Sequence, residues 1–325
     1  MKHLVLLDGH HLLYRAYWAI PRTLMMSTGE QVNTVFGMAA MLLPILQQEQ
    51  PDALLFCFDE GDETLRHQEH ETYKDGRAET PSDFYPQVPR AFDMIEAFGL
   101  PTVSDSKYEA DDFLGAYALA AVKAGFRVTI VTGDRDLFQL ASEHIRISIP
   151  HKGYQEAEYL GPTEVLTKMG VTPAQIPAYK GLCGDASDNL PGVWGIGPKT
   201  AVQLIQTYGS LEGIYDHLED IRPTVRRKLE ADREQAFFCQ RMAQLMTDIA
   251  LPIPLAKLHI EKLPTAKIVE AFNAFEFTLL SRRLQKVLET DYGRLHFEPL
   301  SDAMRAEVTP ADSKRQLSLF QTDKR

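Results

Sequence analysis

Apolar residues along the chain fall into two patterns. Three short runs are almost continuously apolar, and an aspartate follows each: Leu4-Val5-Leu6-Leu7 before Asp8, Leu54-Leu55-Phe56-Cys57-Phe58 before Asp59, and Val128-Thr129-Ile130-Val131 before Asp134. Unbroken apolarity means that both faces of a strand are covered, and helical-looking segments separate the runs. The pattern therefore predicts an α/β fold, a parallel sheet flanked by helices. Ligands of such sheets bind beyond the carboxyl ends of the strands, where the three aspartates fall.

The second pattern has helical spacing. From Glu109 to Ala124, the residues Phe113, Leu114, Tyr117, Ala118, Ala121 and Val122 form one apolar stripe, with Gly125 placed to end the helix. Glu109, Asp111 and Asp112 occupy its first turn, where the helix dipole favours negative charge. Between Asp59 and Pro81 the chain is polar and charged, which predicts an exposed excursion. Pro173 through Tyr208 holds two helical patterns around the glycine-rich stretch Gly184 to Lys199. Such glycine density marks tight turns or close backbone approach. Helical stretches continue to about Leu288, and the polar remainder reads as a flexible tail.

Composition changes this picture in one respect. With 44% hydrophobic and 24% charged residues the chain belongs to no disordered class, and its 325 residues suffice for a large core. The apolar run at the amino terminus is too short for a signal peptide, and no later run approaches a membrane span, so a cytoplasmic protein without a membrane partner is expected. Cys57, Cys183 and Cys239 lack paired spacing and read as reduced thiols. The net charge of −11 argues against a nucleic-acid partner unless cations offset acids collected at one site.

The acids that could be so collected are Asp8, Asp59, Glu109, Asp111, Asp112, Asp134, Asp136, Asp185 and Asp188. Singly, each could be a turn or cap residue. Jointly, three strand ends, a helix start and a glycine-rich turn are hard to attribute to capping. Oxygen donors without a His or Cys set select Mg²⁺ or Mn²⁺, and two such ions suffice for phosphodiester hydrolysis without a protein nucleophile. Gly195-Ile196-Gly197-Pro198-Lys199 reads either as a turn before a helix or as an amide clamp for phosphate, with Lys199 adding charge. Tyr73 beside Lys74 could stack a base while its neighbour holds phosphate.

Three segments carry a family resemblance: Tyr108-Glu109-Ala110-Asp111-Asp112, Thr132-Gly133-Asp134-Arg135-Asp136, and Gly184 to Val193. With Asp8 and Asp59, from about Lys2 to Leu288, the chain resembles the 5′-nuclease superfamily of flap endonucleases and the 5′–3′ exonuclease domain of bacterial DNA polymerase I. The resemblance implies a Rossmann-like, PIN-like nuclease core over residues 1–160, with a helical arch at 60–86. It implies a helical DNA-binding region over 161–290, with a helix-three-turn-helix at about 173–210 that grips duplex and holds K⁺.

By the same resemblance Tyr73, Lys74 and Arg77 guide a 5′ strand and steer its scissile phosphate, with Arg66 at the arch base. Lys180 stands near the acids, and Gly192, Gly195, Gly197 and Lys199 form the duplex-binding turn. Asp8, Asp59, Glu109, Asp111 and Asp112 would serve one metal ion, and Asp134, Asp136, Asp185 and Asp188 mainly the other. Where relatives carry lysines after the second-strand aspartate, this chain has Glu60-Gly61-Asp62-Glu63, which bears on how it holds a single strand.

In the tail at 291–325, Gln316, Leu317, Leu319 and Phe320 of Gln316-Leu317-Ser318-Leu319-Phe320 resemble the peptide that bacterial replication proteins insert into the sliding clamp. The expected protein is a free-standing bacterial 5′ nuclease acting on DNA flaps, nicks or gaps, RNA-primed ends included. The alternatives are a PIN-type ribonuclease and a clamp-tethered DNA-binding protein with little catalysis.

Overall fold

The computed structural model describes residues 1–61, 63–76 and 79–301. Arg77 and the segment 316–320 lie outside them. β1 (His3–Asp8) leads into α1 (Gly9–Ala19), and α2 (Asn33–Glu49) returns the chain to β2 (Ala53–Cys57). A short α3 (Leu65–Glu69) and α4 (Gln87–Ala97) precede β3 (Thr102–Val103). Then follow α5 (Ala110–Lys123), β4 (Arg127–Val131), β5 (Ile145–Ile149) and β6 (Glu158–Leu160). The sheet order is β3-β2-β1-β4-β5-β6, parallel except at β6. The three runs expected as strands are thus the adjacent central strands β2, β1 and β4. The chain's direction of travel reverses between β1 and β4, the place where such sheets bind ligands.

Alternation along the strands feeds two cores. Val5 and Leu7 of β1, with Leu54 and Phe56 of β2, face α1, α2 and α4. Leu4, Leu6, Leu55 and Cys57 face α5, where Phe113, Leu114, Tyr117, Ala118 and Ala121 form the expected stripe. Burying each large apolar side chain of this kind contributes roughly 1.5–3 kcal/mol.

The rest of the chain is helical: α6 (Pro162–Met169), α7 (Ile176–Cys183), α8 (Pro198–Tyr208), α9 (Leu211–Asp216), α10 (Pro223–Ala231) and α11 (Arg233–Ala243). Val165, Ile176, Leu182, Ile196, Ile205, Leu229 and Ala236 from this region join the core under α5. One continuous core therefore fixes the glycine-rich turn relative to the strand ends.

α12 (Thr265–Ala274) and α13 (Thr278–Leu288) pack instead on the opposite core, beside α2 and α4. Residues 291–297, expected to begin a flexible tail, form α14 (Asp291–His296) and bury Tyr292 and Phe297. The polar average of that segment conceals its two aromatic anchors. Among the described residues no helix is long and apolar enough to cross a membrane.

Candidate active site

The strand-end acids are locked by the turns that carry them. Asp8 caps α1, accepting from the His11 amide at 3.0 Å and the Thr132 hydroxyl at 2.7 Å. Asp59 accepts the Ala110 amide at 2.8 Å, which ties the end of β2 to the start of α5. Beyond β4, the Thr132 hydroxyl accepts the Asp134 amide at 3.0 Å, and Asp134 accepts the Asp136 amide at 2.8 Å. Such side-chain turns are what Asp and Thr form readily.

Removal from water and mutual repulsion govern this group. Burial pushes the Asp8 carboxyl up to about 7, with Asp134 and Asp59 adding to the rise. Asp111 is pushed well above the usual carboxylate range, first by burial and then by Asp134, Asp8 and Asp59. Carboxylates so crowded ionise fully only when cations lie among them.

A second group lies where the β4 turn meets the α7–α8 turn. Asp136, Asp185 and Asp188 each offer a carboxylate oxygen, and these lie within 4.8 Å of one another. The Lys180 ammonium, from the last turn of α7, lies against both Asp136 and Asp185. Burial acts to raise the Asp185 carboxyl, but Lys180 and Ser187 outweigh it and hold it below its ordinary value.

Both groups open into one cavity of about 700 Å³, lined by Asp8, Asp59, Glu109, Asp111, Asp134, Asp136, Asp185 and Asp188. Asp112 does not line it, contrary to expectation. It is the third residue of α5, its carboxylate reaches back to the Glu109 amide at 3.2 Å, and it is fully buried. Both its oxygens are taken by Arg66, at 2.8 Å each, and one also accepts the Met246 amide.

Arg66 departs from expectation for the same reason. It is 5% exposed and clasped by Asp112, Glu109 and the carbonyls of Met242 and Gln244, so it cannot face DNA. Tyr73, expected on the strand's path, is 4% exposed and donates to Glu109 at 3.2 Å. Lys74 reaches the cavity wall. Its ammonium meets Glu109 at 2.7 Å, and its backbone sits in the left-handed region with its amide on the Asp188 carbonyl at 3.2 Å. A non-glycine residue there costs about 1 kcal/mol or more, and such strain gathers at functional sites.

The glycine-rich turn divides in two. Gly192 is buried, and a Cβ on it would lie 2.2 Å from the Gly184 nitrogen, so its glycine serves a backbone crossing rather than DNA contact. Gly195, Gly197 and Lys199 are exposed, and Gly197 opens α8 with space around it. Sequence reasoning missed His10, His11, Tyr14 and Arg135 of the cavity wall. Their signal was proximity: two to six residues after Asp8, and one after Asp134.

An oxygen-rich donor set with two raised carboxyls fits hard divalent cations; His10 already accepts the Asp59 amide. The acid-lined cavity thus lies at the reversal point of the sheet and draws two of its acids from the α7–α8 turn. Residues 3–170 match the 5′–3′ exonuclease N-terminal resolvase-like domain, and 171–266 match the 5′–3′ exonuclease C-terminal SAM fold. The chain belongs to the 5′–3′ exonuclease family.

It is 36% identical over 284 residues to DNA polymerase I of Bacillus subtilis, covering 87% of this chain and 32% of that one. With the thermostable DNA polymerase I of Thermus thermophilus it shares 41% over 253 residues, 78% of this chain and 30% of that one. The chain spans about a third of the length of these relatives. The fold is that of T5 5′-exonuclease with bound zinc, at TM-score 0.65 and 19% identity over 89% of this chain and 99% of that one. Human GEN1 in complex with Holliday junction DNA shares it at TM-score 0.54 and 14% identity, over 88% and 70%.

Proposed function

We propose that this chain is a structure-selective 5′ nuclease that hydrolyses DNA phosphodiesters near junctions of single and double strand. The observation that carries this reading is the joining of eight acids from the sheet edge and the α7–α8 turn in one cavity. The turn that would hold duplex also supplies Asp185 and Asp188, so gripping DNA sets the position of the phosphate to be cut.

Asp8, Asp59 and Asp111 would hold one Mg²⁺ or Mn²⁺, joined by Asp134, which acts on Asp8 and Asp111 and so leaves the second set in which it was expected. Asp136, Asp185 and Asp188 would hold a second ion. Bound there, such ions supply charge neutralisation at the phosphate and a lowered pKa for the attacking water. The chain's own residues do the rest. Lys74 and Lys180 each bring a cation to one end of the cavity, where they can hold non-bridging phosphate oxygens. Arg66 braces Glu109 and Asp112 from behind. Exposed Gly195, Gly197 and Lys199 would receive duplex phosphates, with K⁺ at that turn, and the segment 316–320 would tether the enzyme to a sliding clamp in the bacterial cytoplasm.

The test is cleavage of flap, nick and gap DNA labelled at the 5′ end, with Mg²⁺ or Mn²⁺, beside single-stranded RNA. Product from the flap and its loss in Asp111→Asn is the expected result. Cleavage of RNA alone would assign a ribonuclease, and an intact flap in every condition would leave a DNA-binding protein.

A further inference from the structure

The chain is acidic overall, yet α10 and its borders are not: Arg222, Arg226, Arg227, Lys228 and Arg233 fall within twelve residues that include only two acids. Arg226 is used internally, meeting Glu219 and Glu230. Arg233 lies over the Tyr215 ring at 4.8 Å. Arg222 and Arg227 are exposed, and among the described residues no ion pair engages either one. Arg222 also shares a cleft with Thr200 and Gln203, so the start of α10 adjoins the side of α8.

This ridge is fastened to the glycine-rich turn by two bonds. The Lys228 ammonium donates to the Gly195 carbonyl at 2.8 Å, and the Asp232 carboxylate accepts the Trp194 amide at 2.8 Å. The second bond fixes the backbone of a tryptophan that is 85% exposed. A large apolar ring held on a fixed backbone and left in water is an unusual expenditure unless something covers it.

We infer that Trp194 and the cations of α10 form a second contact surface for duplex DNA, continuous with the α7–α8 turn. The inference rests on the nuclease reading above and names residues that reading does not use. Charge complementarity selects the occupant. Cations mounted on a helix match the regular phosphates of a duplex, and an apolar ring beside phosphate contacts is how proteins lodge against the minor groove. Arg222 and Arg227 hold phosphates, while Trp194 packs on the sugar edge and sets how far the duplex extends from the cut site.

The experiment is a binding titration of the full chain in EDTA, with a labelled nicked duplex and a labelled single strand, over a range of salt. Arg222→Ala with Arg227→Ala is expected to weaken duplex binding about tenfold and to make the salt slope shallower by about two, one for each phosphate lost. Trp194→Ala is expected to weaken it several-fold at unchanged slope. In a Trp18→Phe background, duplex should also change the emission of Trp194. Unchanged affinity and slope in these variants, with thermal unfolding intact, overturns the surface; equal losses for duplex and single strand overturn the duplex assignment. Wild-type cleavage of a flap with Mn²⁺, measured alongside, separates the two failures. Cleavage without these binding losses removes only the surface, and losses without cleavage remove only the nuclease.

Discussion

Arg66 and Asp112 meet fork to fork, both Arg66 terminal nitrogens lying 2.8 Å from a carboxylate that is wholly removed from water. The pair joins α3, at the base of the excursion, to the first turn of α5. Breaking a buried pair from one side leaves the other charge without compensation and costs about 3–5 kcal/mol, whereas an apolar replacement of both can be nearly neutral.

Arg66→Met alone and Asp112→Leu alone should therefore each lower stability in urea by that amount, and the double variant should recover most of it. Additive losses in the double variant would show that the two residues act independently. Flap cleavage by the double variant separates bracing from stability, because Glu109 keeps Lys74 and Tyr73 but loses its Arg66 support.

A second buried carboxylate holds the far end of the sheet. Glu49 closes α2 and accepts from Tyr154 at 2.8 Å, Tyr159 at 2.7 Å, Thr129 at 3.0 Å and Arg146 at 2.6 Å. Burial acts to raise its carboxyl, but the two tyrosines and Arg146 outweigh it and hold it below the ordinary range. A depressed carboxyl contributes stability that is fully present above the unfolded value and fades as pH falls through the folded one. Glu49→Gln should thus cost on the order of 2 kcal/mol near neutrality and flatten the acid limb of the stability curve. Parallel acid limbs for variant and parent would refute the assignment.

How much of this was legible in sequence follows from the range of each interaction. The strands β1, β2 and β4 announce themselves because a doubly covered strand needs no partner pattern to be read. β3, two residues long, carries no such signal. Asp111 and Asp112 are neighbours of the same type, and only the helix phase sends one to the cavity and the other behind it. Arg66 could not be placed from sequence, because its partners Asp112, Met242 and Gln244 are 46 to 178 residues away. Tyr73 beside Lys74 carried a sound local argument for stacking. It was overridden by Glu109, which claims the tyrosine hydroxyl from a different element.

The burial of Asp8 and Asp111, with their crowding by Asp59 and Asp134, makes stability of the metal-free protein depend on pH in a direction opposite to that of Glu49. A carboxyl whose folded value is raised binds its proton more tightly when folded, so stability falls as pH rises from the unfolded value toward the folded one. For Asp8 that window runs from about 4 to about 7. In EDTA the protein should unfold at a higher temperature at pH 6 than at pH 8. Saturating Mg²⁺ should restore stability mainly at pH 8, where the Asp8 carboxyl is released to bind it. Asp8→Asn should remove much of the slope. An EDTA profile that is flat, or rises toward pH 8, would contradict the crowding.

Two glycines of the α7–α8 turn, Gly192 and Gly197, should separate stability from DNA contact. At Gly192 a Cβ would lie 2.2 Å from the Gly184 nitrogen and 2.7 Å from its Cα, and the residue has a positive φ of 65°. Neither clash can be relieved by a side chain, since the obstructing atoms are backbone, so Gly192→Ala should cost on the order of 3 kcal/mol. It should also displace Asp185 and Asp188, whose turn Gly184 anchors. At Gly197 nothing lies within 4 Å of a Cβ and φ is −94°, so Gly197→Ala should cost only the preference for glycine over alanine at a helix N-cap, about 1 kcal/mol or less. If phosphate approaches the amide start of α8, the added methyl should still weaken duplex binding several-fold. Full duplex affinity in Gly197→Ala, with the protein still folded, would remove that helix start from the DNA contact and leave Gly195 and Lys199 as the remaining candidates among the three.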